Sequence, residues 1–182
     1  MTVAVIIIVI AAVILLAGIA YSATRRRRSE HLQERFGTEY EHVVSDTGSR
    51  RDAEHELAER EKRRAALDIR PLDRDARDDY AAAWQEVQAG FVDSPNDAVG
   101  RADRLVHQVM QDRGYPVDDF EQRSADISVD HPEVVSDYRA AHDISLRNDA
   151  GEASTEDLRL AMVHFRSLFD DLLVVETIRT TH

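Results

Sequence analysis

Cysteine is absent from the 182 residues, which removes disulfides, thiolate catalysis and cysteine-based zinc sites together. Proline occurs four times, glycine seven times, and aromatic residues make up only 6% of the chain. With 32% of residues charged, that composition describes a helical protein better than a β-sandwich. No phosphate-cradling glycine loop and no nucleophile elbow occurs, so the usual signals for nucleotide binding and for serine hydrolases are missing. No internal repeat of 20–50 residues and no low-complexity tract is visible either.

Charge of one sign is what the chain has in excess. The net charge is −12, but it is unevenly placed. Residues 21–70 hold 12 basic and 11 acidic side chains, a net of +1, whereas residues 71–182 hold 11 basic and 24 acidic, a net of −13. So acidic a C-terminal part repels nucleic-acid phosphates and anionic headgroups, and no nucleic-acid partner is expected. The length suits one domain plus an appendage.

The appendage is legible at once. Val3–Ala20 reads VAVIIIVIAAVILLAGIA without a charged or strongly polar residue, and 18 residues of helix span about 27 Å, enough to cross a bilayer core. Residues 3–21 are therefore expected to partner the lipid bilayer as a signal-anchor covering residues 1–23. Tyr21, Arg25, Arg26, Arg27 and Arg28 are its membrane-interface residues: the tyrosine suits the headgroup boundary, and the arginines keep the following chain cytoplasmic. A cleaved signal peptide is the alternative. Gly18-Ile19-Ala20 and Ala20-Tyr21-Ser22 loosely fit a cleavage site, but such a leader carries its positive charge before the apolar run, the reverse of the order here.

Residues 24–70 read as a charged helical stalk of two helices broken at Asp46–Ser49. Leu32, Phe36, Tyr40 and Val43 or Val44 recur at helical spacing in the first, and Ala53, Leu57, Ala65 and Leu67 are the sparse apolar contacts of the second. Beyond Pro71 the start and stop signals sharpen. Asp73 precedes a helix reaching Phe91, with Tyr80, Trp84, Val87 and Phe91 on one face. Ser94-Pro95 opens a second that stops at Gly114. A short helix follows near Asp118–Ser124, a longer one begins at His131-Pro132, and Ser154 with Asp157 forms a capping box for the last. The expected fold is all-α: a transmembrane helix, a charged helical stalk, an antiparallel helical bundle over residues 71–175, and a tail at 176–182.

The histidines and carboxylates are the candidates for chemistry. Glu39 with His42 and Asp52 with His55 mimic the Glu-x-x-His spacing of di-iron bundles, but they sit in the charged stalk and read as solvated. His107 has Asp103 one turn earlier, two ligands short of a full metal shell. His131, His142 and His164 have no carboxylate or histidine at helical spacing. Asp118-Asp119 and Asp170-Asp171 are adjacent pairs whose side chains point about 100° apart, and Asp118 reads instead as charge at a helix N-terminus. Arg60, Lys62, Arg63 and Arg64 form a basic patch that Glu56, Glu59 and Glu61 offset. No metal, cofactor or catalytic residue is assigned.

The segments RFGTEYE, LDIRPL, WQEVQAGFVDSPNDAVGRADRLVHQVMQDRGYPVDDFEQRSADISVDHPEVVSDYRAAH and GEASTEDLRLAMVHFRSLFDDLL resemble an uncharacterised bacterial family of short, membrane-anchored or secreted helical proteins. The resemblance covers about residues 35–173 and implies a bacterial envelope setting and one coherent domain, without any activity. Three functions are expected in order: a non-enzymatic protein-interaction module at the cytoplasmic membrane face; a ligand-binding or enzymatic bundle using His107 with Asp103, or His164 with a carboxylate from another helix; and a secreted protein freed by signal cleavage.

Overall fold

The computed structural model describes the backbone of residues 2–174; the side chains of residues 2–14 and of Tyr21, and the tail from 175 onward, lie outside it. Every regular element among the described residues is a helix: α1 (Thr2–Phe36), α2 (Thr38–Thr47), α3 (Arg50–Ala65), α4 (Arg74–Gly90), α5 (Pro95–Arg113), α6 (Phe120–Ile127), α7 (Val135–Asp149) and α8 (Thr155–Leu173). The chain is all-α. It divides into two compact units, Met1–Leu57 and Ala58–His182.

In the first unit α1 is a single helix of 35 residues, so the apolar run continues without interruption through the arginines. The expected span at residues 3–21 falls largely on side chains outside the described residues; among the described residues no helix is long and apolar enough to cross a membrane. The stalk differs from expectation by one break. Gly37, at φ 49° and ψ −122°, separates α1 from α2, a conformation an L-residue with a Cβ rarely adopts. The apolar stripe nonetheless carries across it, and Leu32, Phe36, Tyr40, Val43, Ala53 and Leu57 are all buried.

The second unit is a helical bundle in which α8 packs against both α5 and α7, and α4 against α5. Its core takes Trp84 and Val87 from α4, Val99, Val106 and Met110 from α5, Tyr138 and Ile144 from α7, and Leu158, Phe165 and Phe169 from α8. Each such side chain contributes about 1.5–3 kcal/mol by leaving water. Trp84 stacks on Phe169 with centroids 4.7 Å apart.

Local signals set the ends of these helices. The Asp73 carboxylate accepts from Ala76 N–H at 2.8 Å, and Ser154 and Asp157 complete the expected reciprocal box. Ser94 precedes α5 without a side-chain cap, Pro95 supplying the pre-set first turn. Gly114 ends α5 at φ 98°. A Cβ there would meet the Asp68 carbonyl oxygen at 2.4 Å, because the 67–72 segment runs against it and Arg70 N–H bonds the Arg113 carbonyl at 2.9 Å. The short helix is displaced from its expected place: Asp119, not Asp118, caps it through Gln122 N–H at 2.8 Å, and it runs to Ile127. Residues 131–134 form a turn before α7 rather than its first residues.

Candidate functional site

The bundle places its ionisable side chains between helices. Three groups stand out among the described residues, and each uses a partner far away in sequence.

The first joins α5, α6 and α7. Arg123 of α6 is buried, and its Nε donates to the Tyr138 hydroxyl at 2.6 Å, while Nη1 donates to the Val117 carbonyl at 2.5 Å. The Tyr138 hydroxyl also lies 3.2 Å from His107 Nε2, the imidazole tautomer setting which of the two donates. Asp103 Oδ1 stands 3.6 Å from the same nitrogen, beyond hydrogen-bond length, and has no other partner. His142, one turn after Tyr138, stacks flat on Phe120 at 3.6 Å. Burial lowers the pKa of His107; Asp103 opposes this, and Arg123 and His142 add to it. Burial likewise lowers that of His142, again with Asp103 opposing and Arg123 assisting. Burial raises the Tyr138 hydroxyl, the Arg123 charge opposing.

The second group closes the far end of α5 onto α8. Arg113, 2% exposed, donates from Nη1 to the Leu172 carbonyl at 3.1 Å and to His131 Nε2 at 3.3 Å. His131, 4% exposed, then donates from Nδ1 to Asp171 at 2.5 Å. The end of α8, whose last carbonyls have no intrahelical partner, is thereby satisfied by an arginine from α5.

The third group adds long-range partners to the basic patch. Arg60 donates to Ser128 Oγ at 3.3 Å, Arg63 pairs with Asp126 at 3.5 Å, and Arg64 bonds Asp130. Tyr115 also donates to Asp130, at 2.6 Å; burial first, and then this carboxylate, raises the tyrosine pKa. The last turns of α3 thus clamp the acidic end of α6, and Lys62 pairs with a neighbouring stalk carboxylate, Glu59, at 3.7 Å. Besides Glu56, Glu59 and Glu61, to which within-helix spacing pointed, the arginines reach partners more than 60 residues away.

The remaining candidates separate. His164 does meet a carboxylate from another helix, Asp137 at 2.9 Å. His42 turns to Asp46 at 3.3 Å, while Glu39 is buried, so those two residues do not converge. Asp170 pairs with Arg166 at 2.6 Å and Asp171 with His131, so the adjacent acids face different partners. Among the described residues no group of three histidines or carboxylates is arranged to hold a metal ion.

Two surface features escaped the sequence reading. An apolar cleft of about 290 Å³ between α4 and α8 is lined by Gln88, Phe91, Arg159, Met162, Val163 and Arg166. Of the expected α4 face, Trp84 is core and Phe91 is left at this cleft. A polar cleft of about 410 Å³ lies between α1 and α3, where Asp52 and His55 join Arg25, Arg28, Arg51 and Glu54. The signal for the first was Val163, an apolar residue off the buried stripe of α8, which stands 52% exposed. Set against known protein families, curated proteins and solved structures, the chain matches none.

Proposed function

We propose that the protein is a membrane-held, non-enzymatic interaction module of a bacterial cell, with its helical bundle at the cytoplasmic face. The observation that carries this reading is the continuity of α1: one helix leads from the apolar run of residues 3–20 into Arg25–Arg28, whose side chains are all exposed. An apolar run followed by positive charge anchors with the N-terminus out.

The bundle supports the non-enzymatic part. His107, His131 and His164 are held in bridges between helices, which is a structural use of residues that an acid–base catalyst leaves facing substrate. The apolar cleft at Phe91, Met162 and Val163 is the docking surface. Its rim of Arg159 and Arg166 suits a partner protein segment whose apolar side chains are flanked by carboxylates.

The cysteine-free chain makes this testable with one substitution. Val163→Cys, carrying a thiol-linked photocrosslinker in intact cells, is expected to give one discrete protein adduct, and Arg166→Glu in the same chain is expected to abolish it. Asp149→Cys, on the exposed end of α7, is the control and gives none. Equal adducts from both positions, or an adduct indifferent to Arg166→Glu, would sink the reading.

A further inference from the structure

We propose that the first unit carries a lipid site: a cationic cleft that takes the phosphate of an anionic phospholipid headgroup. This rests on the membrane reading above and names what the juxtamembrane arginines meet there. Two adjoining clefts open between α1 and the first two turns of α3, sharing Arg25 and Glu54. Arg28, Arg51 and His55 complete the larger, and Arg26 and Arg50 belong to the smaller. Across both, five arginines face only two carboxylates, Asp52 and Glu54.

The charge comes from two directions. Arg25 and Arg28 are one turn apart on α1, and Arg51 and His55 one turn apart on α3, so each pair shares a helix face. A guest between them is gripped from both sides, which a linear arginine run cannot do. Among the described residues no hydrogen bond or ion pair engages Arg25, Arg28 or Arg51. Glu54 is partly occupied, accepting from the Tyr40 hydroxyl at 3.3 Å. The first turn of α3, with its positive dipole end, begins at Arg50 on the same side, its Asp52 N–H bonded to Ser49 Oγ at 3.4 Å. Guanidinium forks match phosphate oxygens two at a time.

Depth decides the source of the phosphate. Arg25 follows the last apolar residue, Ala20, by five positions, roughly 7.5 Å along the helix. The headgroup layer of one leaflet is about 5–8 Å deep. Arg25 therefore stands at the level of lipid phosphates, with α3 closing the cleft at its outer edge.

The test uses the full chain in detergent micelles, with backbone amide shifts followed by NMR. The titrants are dihexanoyl phosphatidylglycerol, dihexanoyl phosphatidylcholine and inorganic phosphate. Phosphatidylglycerol is expected to give saturable shifts at Arg25, Arg28, Arg51 and His55 that phosphatidylcholine does not. Arg28→Gln and Arg51→Gln should each weaken it about tenfold, while Arg27→Gln, which lines neither cleft, should change it by less than about twofold. If Arg27→Gln weakens binding as much as Arg28→Gln, the effect is diffuse charge and the site is refuted. If inorganic phosphate binds as tightly as phosphatidylglycerol, the lipid assignment is refuted. Alkaline-carbonate washing of membranes judges the anchor separately: release of the chain refutes the anchor while the micelle titration still decides the cleft, and retention without saturable shifts refutes the cleft alone.

Discussion

At the scale of single residues, the most constrained position is Gly114. Its positive φ already disfavours any other residue, and an added Cβ would stand 2.4 Å from a backbone oxygen that cannot rotate away. Gly114→Ala is expected to cost about 2–4 kcal/mol, read as a lowered denaturation midpoint at unchanged slope. His107 and His142 make a second residue-level prediction. Both have pKa values lowered from 6.5 in the folded chain, by burial before anything else. The unfolded chain therefore takes up protons first as the pH falls. Their contribution to stability is complete above the unfolded value of 6.5 and is lost as the pH drops through it toward the lower folded values, after which the loss levels off. The charged groups facing them are Asp103, Arg123, Asp143 and Glu121. Urea unfolding of the double variant His107→Gln/His142→Gln should show a flatter stability profile between pH 7 and pH 5 than the parent; an unchanged slope would show that these two histidines are not its source.

At the scale of elements, α6 is the most dependent on others. It has eight residues, too few to hold a helix alone, and is kept in place by Arg63 and Arg64 of α3 and by Tyr115. Arg64→Gln leaves the Asp130 charge with one neutral donor, and losing one partner of a largely buried pair costs about 3 kcal/mol. The expected readout is faster amide exchange across residues 120–130 with α8 protected as before; uniform loss across the bundle would contradict a local clamp. Helix ends were legible in the sequence because their causes are local: Asp73, Pro95, Gly114 and the Ser154–Asp157 box each act within four residues. The break at Gly37 was hidden by a stripe that keeps helical spacing across it, from Phe36 to Tyr40. The clamps were invisible for a different reason. His131 finds Asp171 40 positions away, and Arg64 finds Asp130 66 away, whereas spacing rules see only three or four. His164 was the exception, its cross-helix carboxylate having been anticipated as a type, and the structure names it as Asp137.

At the scale of the whole molecule, hydropathy and charge divide the chain into three unlike parts. Residues 3–20 are wholly apolar and residues 71–182 carry a net −13 from 11 basic and 24 acidic side chains, so the part that would be repelled by an anionic bilayer follows a stretch near neutrality that holds the arginines. That order is what the membrane-held reading explains and what a free globular protein does not need. The most direct measurement is the intact mass of the chain recovered from alkaline-carbonate-washed bacterial membranes. The account predicts that the chain stays with the membranes at the mass of all 182 residues, 20.6 kDa. Recovery in the wash, or at a mass lacking the residues up to Ala20 or Ser22, would contradict it.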